Sequence, residues 1–299
     1  MNFPPREARS GSGWPCLLAV TLGVVGSFAG AAQAQPRPKP PVDTPPTDSK
    51  PTLDVAAIRA KLGGASRADS ARLLEGLAQA QAAGAGAAAV APMIEQLLKK
   101  GTLAAAARAA IDALAAIGAP ASSAVIRPYL RHRVSEVRRA AARALGSTKG
   151  AEAVLAFKEG LRSSDGMVRG FSAAGLGSLG QADALPDLFV ALDRGVAEAA
   201  AAIGMLCGAD DCERFVSKLT KVSFDVMTSG LDPILFRKTP LPEADVLKIV
   251  RRIGDLATPQ ARKYLTDAAG RWPAAGSAKV KEALDDAIAV IPGGRADAQ

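Results

Sequence analysis

The sequence contains few of the residues from which catalytic sites are usually built. Its 299 residues include one histidine, His132, and three cysteines, and aromatic residues make up only 4%. It has no glycine-rich loop ending in lysine and serine or threonine, no G-x-S-x-G and no H-E-x-x-H. The sequence therefore predicts no catalytic, cofactor-binding or metal-binding residues, and a protein that is not an enzyme.

The lone histidine and the paired carboxylates do not alter this prediction. His132 lies between Arg131 and Arg133, and because a lone histidine among arginines is more often a solvated turn residue than a catalytic base, we expect a turn residue here. The carboxylates occur as Asp210-Asp211 and Asp285-Asp286. Because adjacent residues on a helix point away from one another, these pairs suit helix capping and surface positions better than acid–base catalysis.

Tyrosine and tryptophan are scarce enough to disfavour carbohydrate binding by ring stacking. After residue 34 they occur only as Tyr129, Tyr264 and Trp272. Hydrophobic residues nevertheless make up 48% of the chain, and alanine is the commonest of them. Small apolar side chains allow helices to pack closely. The chain is long enough to bury one large core or, if built from repeats, a thin continuous core between neighbours.

An internal repeat is the strongest signal in the sequence. Val137-Arg138 returns as Val168-Arg169, and Leu145-Gly146 returns as Leu176-Gly177. Both offsets are 31 residues, which we call the repeat interval. Leucine recurs at this interval at Leu130, Leu161 and Leu192. A fixed period of this length is typical of stacked helix pairs, each of which must cover the apolar face of its neighbour. The sequence therefore predicts an all-α fold, an α-α superhelix formed as a solenoid of antiparallel helix pairs.

The repeated phrases VRRAAARALG and VRGFSAAGLG, at 137–146 and 168–177, resemble HEAT repeats of the short bacterial type also found in phycobilisome-lyase-like proteins. The resemblance covers residues 68–219 and, more weakly, 246–269. It implies right-handed stacks of helix pairs that usually bind proteins along the inner surface. The acidic residue that precedes V-R in the family is matched by Asp165, whereas Val134 occupies the equivalent position one unit earlier. The resemblance thus implies only a fragment of an aspartate–arginine ladder.

The pattern predicts that the repeat domain extends over residues 53–291. The repeat interval contracts near Cys207, where the phrase that begins at Gly175 corresponds to the phrase that begins at Ala202. Between about 221 and 242 three prolines and a glycine interrupt an apolar stretch. Two interpretations of this irregular insertion remain: a segment whose apolar residues fill the core, or a partner-docking insertion. Residues 292–299 are expected to form a loose tail.

The N-terminal part of the chain, up to residue 52, predicts export. Residues 1–34 combine a basic beginning, an apolar middle and a small-x-small end, which indicates a signal peptide cleaved after Ala34. The alternative is an uncleaved signal anchor in the inner membrane, because the apolar run approaches the length of a membrane span. Cys16 precedes the apolar run, which argues against a lipid anchor. Residues 35–52 contain seven prolines and are expected to form an extended, disordered linker.

Export to the periplasm or the extracellular space limits the partners and raises the question of a disulfide. Cleavage after Ala34 leaves a net charge of +7, which outside the cytoplasm favours acidic proteins or an anionic membrane surface over nucleic acid. In an oxidising compartment, Cys207 and Cys212 are candidates for a disulfide across a helix-to-helix turn. Two reduced thiols are the alternative, and no further ligands complete a metal site.

A basic cluster is the clearest surface signal. It is offset only by Glu136 and consists of Arg127, Arg131, Arg133, Arg138, Arg139 and Arg143. One interpretation is a solvated face with ion pairs between repeats, and the other is a binding patch for an anionic partner. The leading functional hypothesis is an exported scaffold for protein–protein interaction. The alternatives are a peripheral binder of anionic envelope surfaces and, through the resemblance, a lyase-like enzyme.

Overall fold

The computed structural model describes residues 54–63 and 69–292, where the regular elements are α-helices joined by turns and short 3₁₀ helices. The predicted signal peptide, the proline-rich linker and the tail after residue 292 lie outside these residues. The helices are α1 (Val55–Gly63), α2 (Ser70–Ala83), α3 (Ala91–Lys100), α4 (Ala104–Ile117), α5 (Ser122–Ile126), α6 (Ser135–Thr148), α7 (Ala151–Gly160), α8 (Gly166–Ser178), α9 (Leu185–Asp193), α10 (Glu198–Leu206), α11 (Ala209–Val216), α12 (Phe224–Leu235), α13 (Glu243–Gly254), α14 (Pro259–Arg271) and α15 (Ala278–Val290).

The helices form two layers. The even-numbered helices from α2 to α14 pack side by side, each against the next, and we call them the even layer. The odd-numbered helices cover one side of it and form the odd layer, in which α3 packs on α5 and α5 on α7. The predicted all-α solenoid of stacked helix pairs is confirmed. None of the helices within the described residues has the length and apolar character needed to cross a bilayer.

Alanine dominates the contacts within the even layer, and phenylalanine fills the space between the layers. Ala107, Ala110 and Ala141, on α4 and α6, are fully buried, and their small side chains let the two helices approach closely. The ring of Phe157 on α7 lies against Gly175 on α8, where a Cβ added to the glycine would come within 2.4 Å of it. Phe157 therefore requires glycine at position 175.

The junction between α10 and α12 brings two backbones into direct contact. A Cβ on Gly204 would lie 2.1 Å from the carbonyl oxygen of Gly230, and a Cβ on Gly230 would lie 2.4 Å from that of Ala200. Glycine is required here because no side chain fits between the helices. This close approach occurs in the part of the chain where the repeat interval contracts.

The segment from 221 to 242 is more regular than its sequence predicts. Residues 224–235 form α12, with Pro233 inside the helix and Met227 and Leu231 fully buried. Pro233 lies in the last turn, so it removes a hydrogen bond to Ser229 only where the helix is already ending. The irregular part is therefore confined to the residues on either side of α12, which include Pro240 and Pro242.

A proline shapes the odd layer near α5. The sequence spacing predicts a single helix from Ala121 to about Arg131, but α5 ends at Ile126 and a 3₁₀ helix follows over Arg127–Arg131. Pro128 has no N–H to donate to the carbonyl of Ala124, and its ring obstructs that carbonyl, so the α-helical pattern cannot continue. The short α5 leaves an open surface beside α3.

Candidate partner-binding surface

The structure divides the six arginines of the basic cluster into two groups. Arg127 and Arg131 lie in the 3₁₀ helix that follows α5, and Arg133 lies in the turn before α6. Arg138, Arg139 and Arg143 lie on α6 in the even layer. The cluster is therefore distributed over both layers rather than being one continuous face.

The first group pairs with carboxylates on α7. Arg127 donates from Nη1 to Glu152 Oε2 at 2.6 Å and from Nη2 to Glu159, and Arg131 Nη2 lies 3.4 Å from Glu159 Oε2. The hydrogen bond from Arg127 lowers the pKa of Glu159, and the hydrogen bonds to Glu159 and Glu152 raise the pKa of Arg127. These arginines join one repeat to the next.

Asp165 is the centre of the second group. Its side chain is 2% exposed and accepts from Arg138 Nη2 at 3.2 Å and from Arg139 Nε at 3.1 Å. It also caps α8 by accepting from the backbone N–H of Met167 at 3.1 Å. Burial alone would raise the pKa of Asp165, but the hydrogen bond and the charge of Arg139 hold the pKa below its ordinary value.

The arginine of the repeated V-R phrase has a structural role that sequence reasoning did not identify. Arg138 Nη1 donates to the carbonyl oxygens of His132 and Arg133, at 2.9 and 3.1 Å. One unit later, Arg169 Nη1 donates to the carbonyls of Ser163 and Ser164, at 2.9 and 3.2 Å. Each arginine therefore closes the turn that precedes its own helix. The recurrence of arginine at the repeat interval is the sequence signal of this role.

Most of the cluster is neutralised by these contacts. Arg143 Nη2 lies 3.3 Å from Asp112 Oδ1 on α4, which also pairs with Arg108 at 3.6 Å. Within residues 69–292, Arg133 is the one member of the predicted cluster for which no ion pair is formed. The geometry thus favours ion pairing between repeats over a uniform anion-binding face, and the patch of six arginines stays a prediction.

An open groove lies between α3 and α5, which we call the apolar groove. Its volume is about 690 Å³. Its floor and walls consist mainly of apolar side chains: Leu98, Ala121, Ala124, Val125 and Pro128. Glu95, Lys99 and Arg131 are among the residues at its rim. The groove exists because α5 is short and presents alanines, where a regular helix with larger side chains would fill the space.

A second concavity adjoins the apolar groove, and we call it the basic pocket. It has a volume of about 510 Å³ and lies between the turn that precedes α6 and the turn that precedes α8. Its lining includes Arg131, Arg133, Arg138 and Arg162, with Glu159 as its one carboxylate. Arg131 and His132 line both cavities, so the basic pocket lies directly beside the apolar groove.

His132 fixes the wall between the two cavities. Its ring Nδ1 accepts from the backbone N–H of Val134 at 3.1 Å, and the ring stacks on Tyr129 with 5.9 Å between centroids. The Tyr129 hydroxyl in turn donates to the carbonyl of Leu98 on α3 at 2.7 Å. Sequence reasoning placed His132 in a turn, as observed, but could not show that it connects α3 to the turn before α6.

The two predicted disulfide cysteines meet across the turn between α10 and α11. The sulfur atoms of Cys207 and Cys212 are bonded at 2.03 Å. Arg237 extends over them from the end of α12 and donates to the carbonyls of Cys207 and Gly204, both at 2.9 Å. Burial lowers the pKa of Arg237. Nothing in the sequence indicated this role, because Arg237 follows an irregular stretch.

The sequence of the central repeats matches a known family. The model for HEAT repeats matches residues 90–166 and 123–207, so the predicted resemblance is confirmed for this part of the chain. No curated protein matches the sequence.

Two solved structures are similar to parts of the helical arrangement. One is the complex of CpcE and CpcF of phycocyanin lyase from Nostoc sp. PCC7120, with 17% identity and a TM-score of 0.43 over 85% of this chain and 100% of that chain. The other is an engineered protein from a structural genomics consortium, with 17% identity and a TM-score of 0.38 over 78% of this chain and 95% of that chain. The stacked helix pairs described above make this chain a helical-repeat protein, in which residues 90–207 match the model for HEAT repeats.

Proposed function

We propose that the chain is an exported, non-enzymatic scaffold that binds a protein partner in the periplasm or cell envelope. HEAT repeats commonly mediate protein–protein interaction, and the helical stack is a scaffold of this type. The observation that carries the proposal is the apolar groove beside α5. It gives the stack a concavity with a volume of about 690 Å³, lined mainly by apolar residues and bordered by charged ones.

Two features support export. The sequence begins with the pattern of a signal peptide, followed by a proline-rich spacer. Cys207 and Cys212 form a disulfide, and disulfides persist in oxidising compartments such as the periplasm. Together these features favour a folded domain that works outside the cytoplasm.

The use of the charged residues supports a non-enzymatic role. Glu159 and Asp165 have lowered pKa values because arginines hold them in their ionised form. A general acid or base needs a pKa near the working pH, so these carboxylates suit structural ion pairs better than proton transfer. The same pairing removes most of the free charge from the arginine cluster, which weakens the alternative of a basic face for anionic surfaces.

Cell fractionation followed by chemical cross-linking in the native envelope tests the proposal. We expect a mature protein that begins at Gln35 and fractionates with the envelope, and a cross-linked partner that is recovered reproducibly. A protein that keeps residues 1–34 and stays in the cytoplasm would contradict export. Recovery of nothing beyond the background of an uncross-linked sample would contradict the scaffold.

A further inference from the structure

We infer that the apolar groove and the basic pocket together bind an acidic peptide segment of a protein partner. An apolar side chain of the peptide would occupy the floor beside Ala124, and carboxylates a few residues away would lie against Arg131 and Arg133. This inference rests on the proposed function, because it names the class of partner that the scaffold would bind.

The proximity of the two cavities supports one extended ligand. Both are lined by Arg131 and His132, so the cavities lie side by side, and one extended chain can cross the wall between them and contact both. Their volumes, about 690 and 510 Å³, are each in the range of sites that hold compact ligands. The wall between them is held by the stacking of His132 on Tyr129 and is therefore formed before a ligand arrives.

The charged residues around the cavities favour a ligand that carries carboxylates. Arg133 and Lys99 are exposed, and no ion pair is formed by either one among the residues that the structure describes. Arg131 is 80% exposed and its contact with Glu159 is long, at 3.4 Å, so most of its donors remain free. Glu159 is paired with Arg127, whereas Glu95 keeps its negative charge and accepts only from the neutral Ser122 hydroxyl. Lys99, Arg131 and Arg133 outnumber this one carboxylate. The free charge is therefore positive.

The shape of the surface favours a peptide over a membrane. Of the apolar residues that line the groove, Leu98 and Val125 are buried, whereas Lys99 and Arg131 at its rim are exposed. A flat bilayer surface can contact the cations on the rim but cannot reach the buried Leu98 and Val125. A peptide can do both, because its alternating side chains fill pockets while its acidic groups approach the rim.

Selection from a random dodecapeptide phage library on the folded protein tests this inference. We expect the selected peptides to combine an apolar residue with acidic residues, and synthetic copies to bind in fluorescence anisotropy. Ala124→Trp should abolish binding because the indole fills the floor, whereas Ala174→Trp, at an exposed alanine of α8 in the even layer, should not. Arg133→Glu should weaken binding about tenfold, more at low salt than at high salt, whereas Arg251→Glu on α13 should have no effect.

Three results would overturn the inference. Selected peptides without acidic residues would show that the basic pocket does not determine which peptides bind. Peptides that bind Ala124→Trp as tightly as the wild type would show that they bind elsewhere. Retention on vesicles containing phosphatidylglycerol, lost in Arg133→Glu and accompanied by no selected peptide, would identify a membrane surface as the occupant.

The failure of this inference is distinguishable from the failure of the proposed function. If the partner cross-linked in the envelope is recovered equally with Ala124→Trp, the scaffold stands and the groove is not its binding site. If acidic peptides bind the groove but the protein is found in the cytoplasm, the binding surface stands and the envelope role does not. Circular dichroism of each variant must match the wild type for these comparisons to hold.

Discussion

The junction between α6 and α8 is joined by charged side chains, whereas the junction between α10 and α12 is joined by bare backbone. In the first, Arg138 and Arg139 converge on the buried carboxylate of Asp165. In the second, Gly204 meets Gly230 with no side chain between them, and Arg237 donates to the carbonyls at the end of α10. Two equivalent junctions between neighbouring helices of the even layer are thus stabilised by two different kinds of contact.

The difference shows that a repeat fold fixes the positions of the helices but not the forces between them. Ion pairs tolerate small shifts of the helices but depend on pH and salt. Backbone contacts are insensitive to both, yet they fail as soon as a side chain is added. The central repeats and the contracted repeats should therefore respond to different perturbations, and the following changes separate them in order of expected effect.

Gly204→Ala should cause the largest loss of stability. The new Cβ would lie 2.1 Å from the carbonyl oxygen of Gly230, so α10 and α12 must separate. We expect the free energy of unfolding to fall by about 3 kcal/mol, measured by urea denaturation followed by circular dichroism. Gly146→Ala is the matched control, because it is also helical and its Cβ would meet nothing within 4 Å. Equal effects of the two substitutions would disprove the backbone contact.

Removal of the disulfide should have the next largest effect. We expect the double substitution Cys207→Ala and Cys212→Ala to lower the free energy of unfolding by about 2 kcal/mol, since the bridge restricts the unfolded chain. Denaturation in the presence of a reductant should bring the wild type to the same value and leave the double variant unchanged. A wild type that is insensitive to reductant after full unfolding would show that the bridge contributes nothing.

Asp165→Asn should destabilise the α6–α8 junction by about 1.5 kcal/mol at neutral pH, because Asn can keep the cap of α8 but not the charge between the arginines. The matched control is Asp187→Asn, whose carboxylate makes an exposed, 3.6 Å contact with Arg162 and should contribute at most about 0.5 kcal/mol. Denaturation curves of the two variants at low and high salt measure the difference. A larger effect at Asp187 would contradict the importance of burial.

The same variant should change the response to acid. The pKa of Asp165 is lowered in the folded state, so the folded protein binds this proton less readily than the unfolded chain does. Its contribution is present above the ordinary aspartate pKa of about 4 and is lost as the pH falls through the lowered pKa. Below pH 4 the wild type should therefore lose stability more steeply than Asp165→Asn. Parallel curves would contradict the lowered pKa.

Ser172→Ala should give the smallest effect and, unlike the others, should stabilise the protein. The Ser172 hydroxyl on α8 is fully buried and has no hydrogen-bond partner among the described residues. Its removal should raise the free energy of unfolding by about 1 kcal/mol. Ser178→Ala on the same helix removes a hydrogen bond to Gly175 and should not stabilise. A loss of stability in Ser172→Ala would indicate a partner for the hydroxyl.

The architecture was predictable because the repeat interval alone indicates stacked helix pairs. A fixed interval with leucine and glycine at constant positions specifies helix pairs that must stack, and the structure follows it. The end of α5 was not predicted, although Pro128 was visible, because helical spacing continues through it. The regular α12 was not predicted for the opposite reason, because Pro233 interrupts the helical pattern in the sequence but lies in the last turn of the helix, where it is tolerated.

The candidate site was only partly predictable. The arginines were identified, but their partners Glu159 and Asp165 lie 26 to 32 residues away in sequence, so pairing between repeats remained one of two interpretations. The apolar groove could not be predicted, because its volume depends on how α3 and α5 are placed relative to each other. Arg237 was missed because it follows an irregular stretch and has no counterpart at the repeat interval, whereas Arg138 recurs as Arg169.

The contact between Gly204 and Gly230 also limits which amino-acid substitutions the protein can accept during evolution. Every amino-acid replacement at either position adds at least a Cβ, so neither residue has a conservative substitute. Homologous chains that keep this helix crossing should retain both glycines while the ion pairs of the central repeats are exchanged freely. A lineage that lost one of these glycines would have to move α12, and with it the guanidinium that lies over the disulfide.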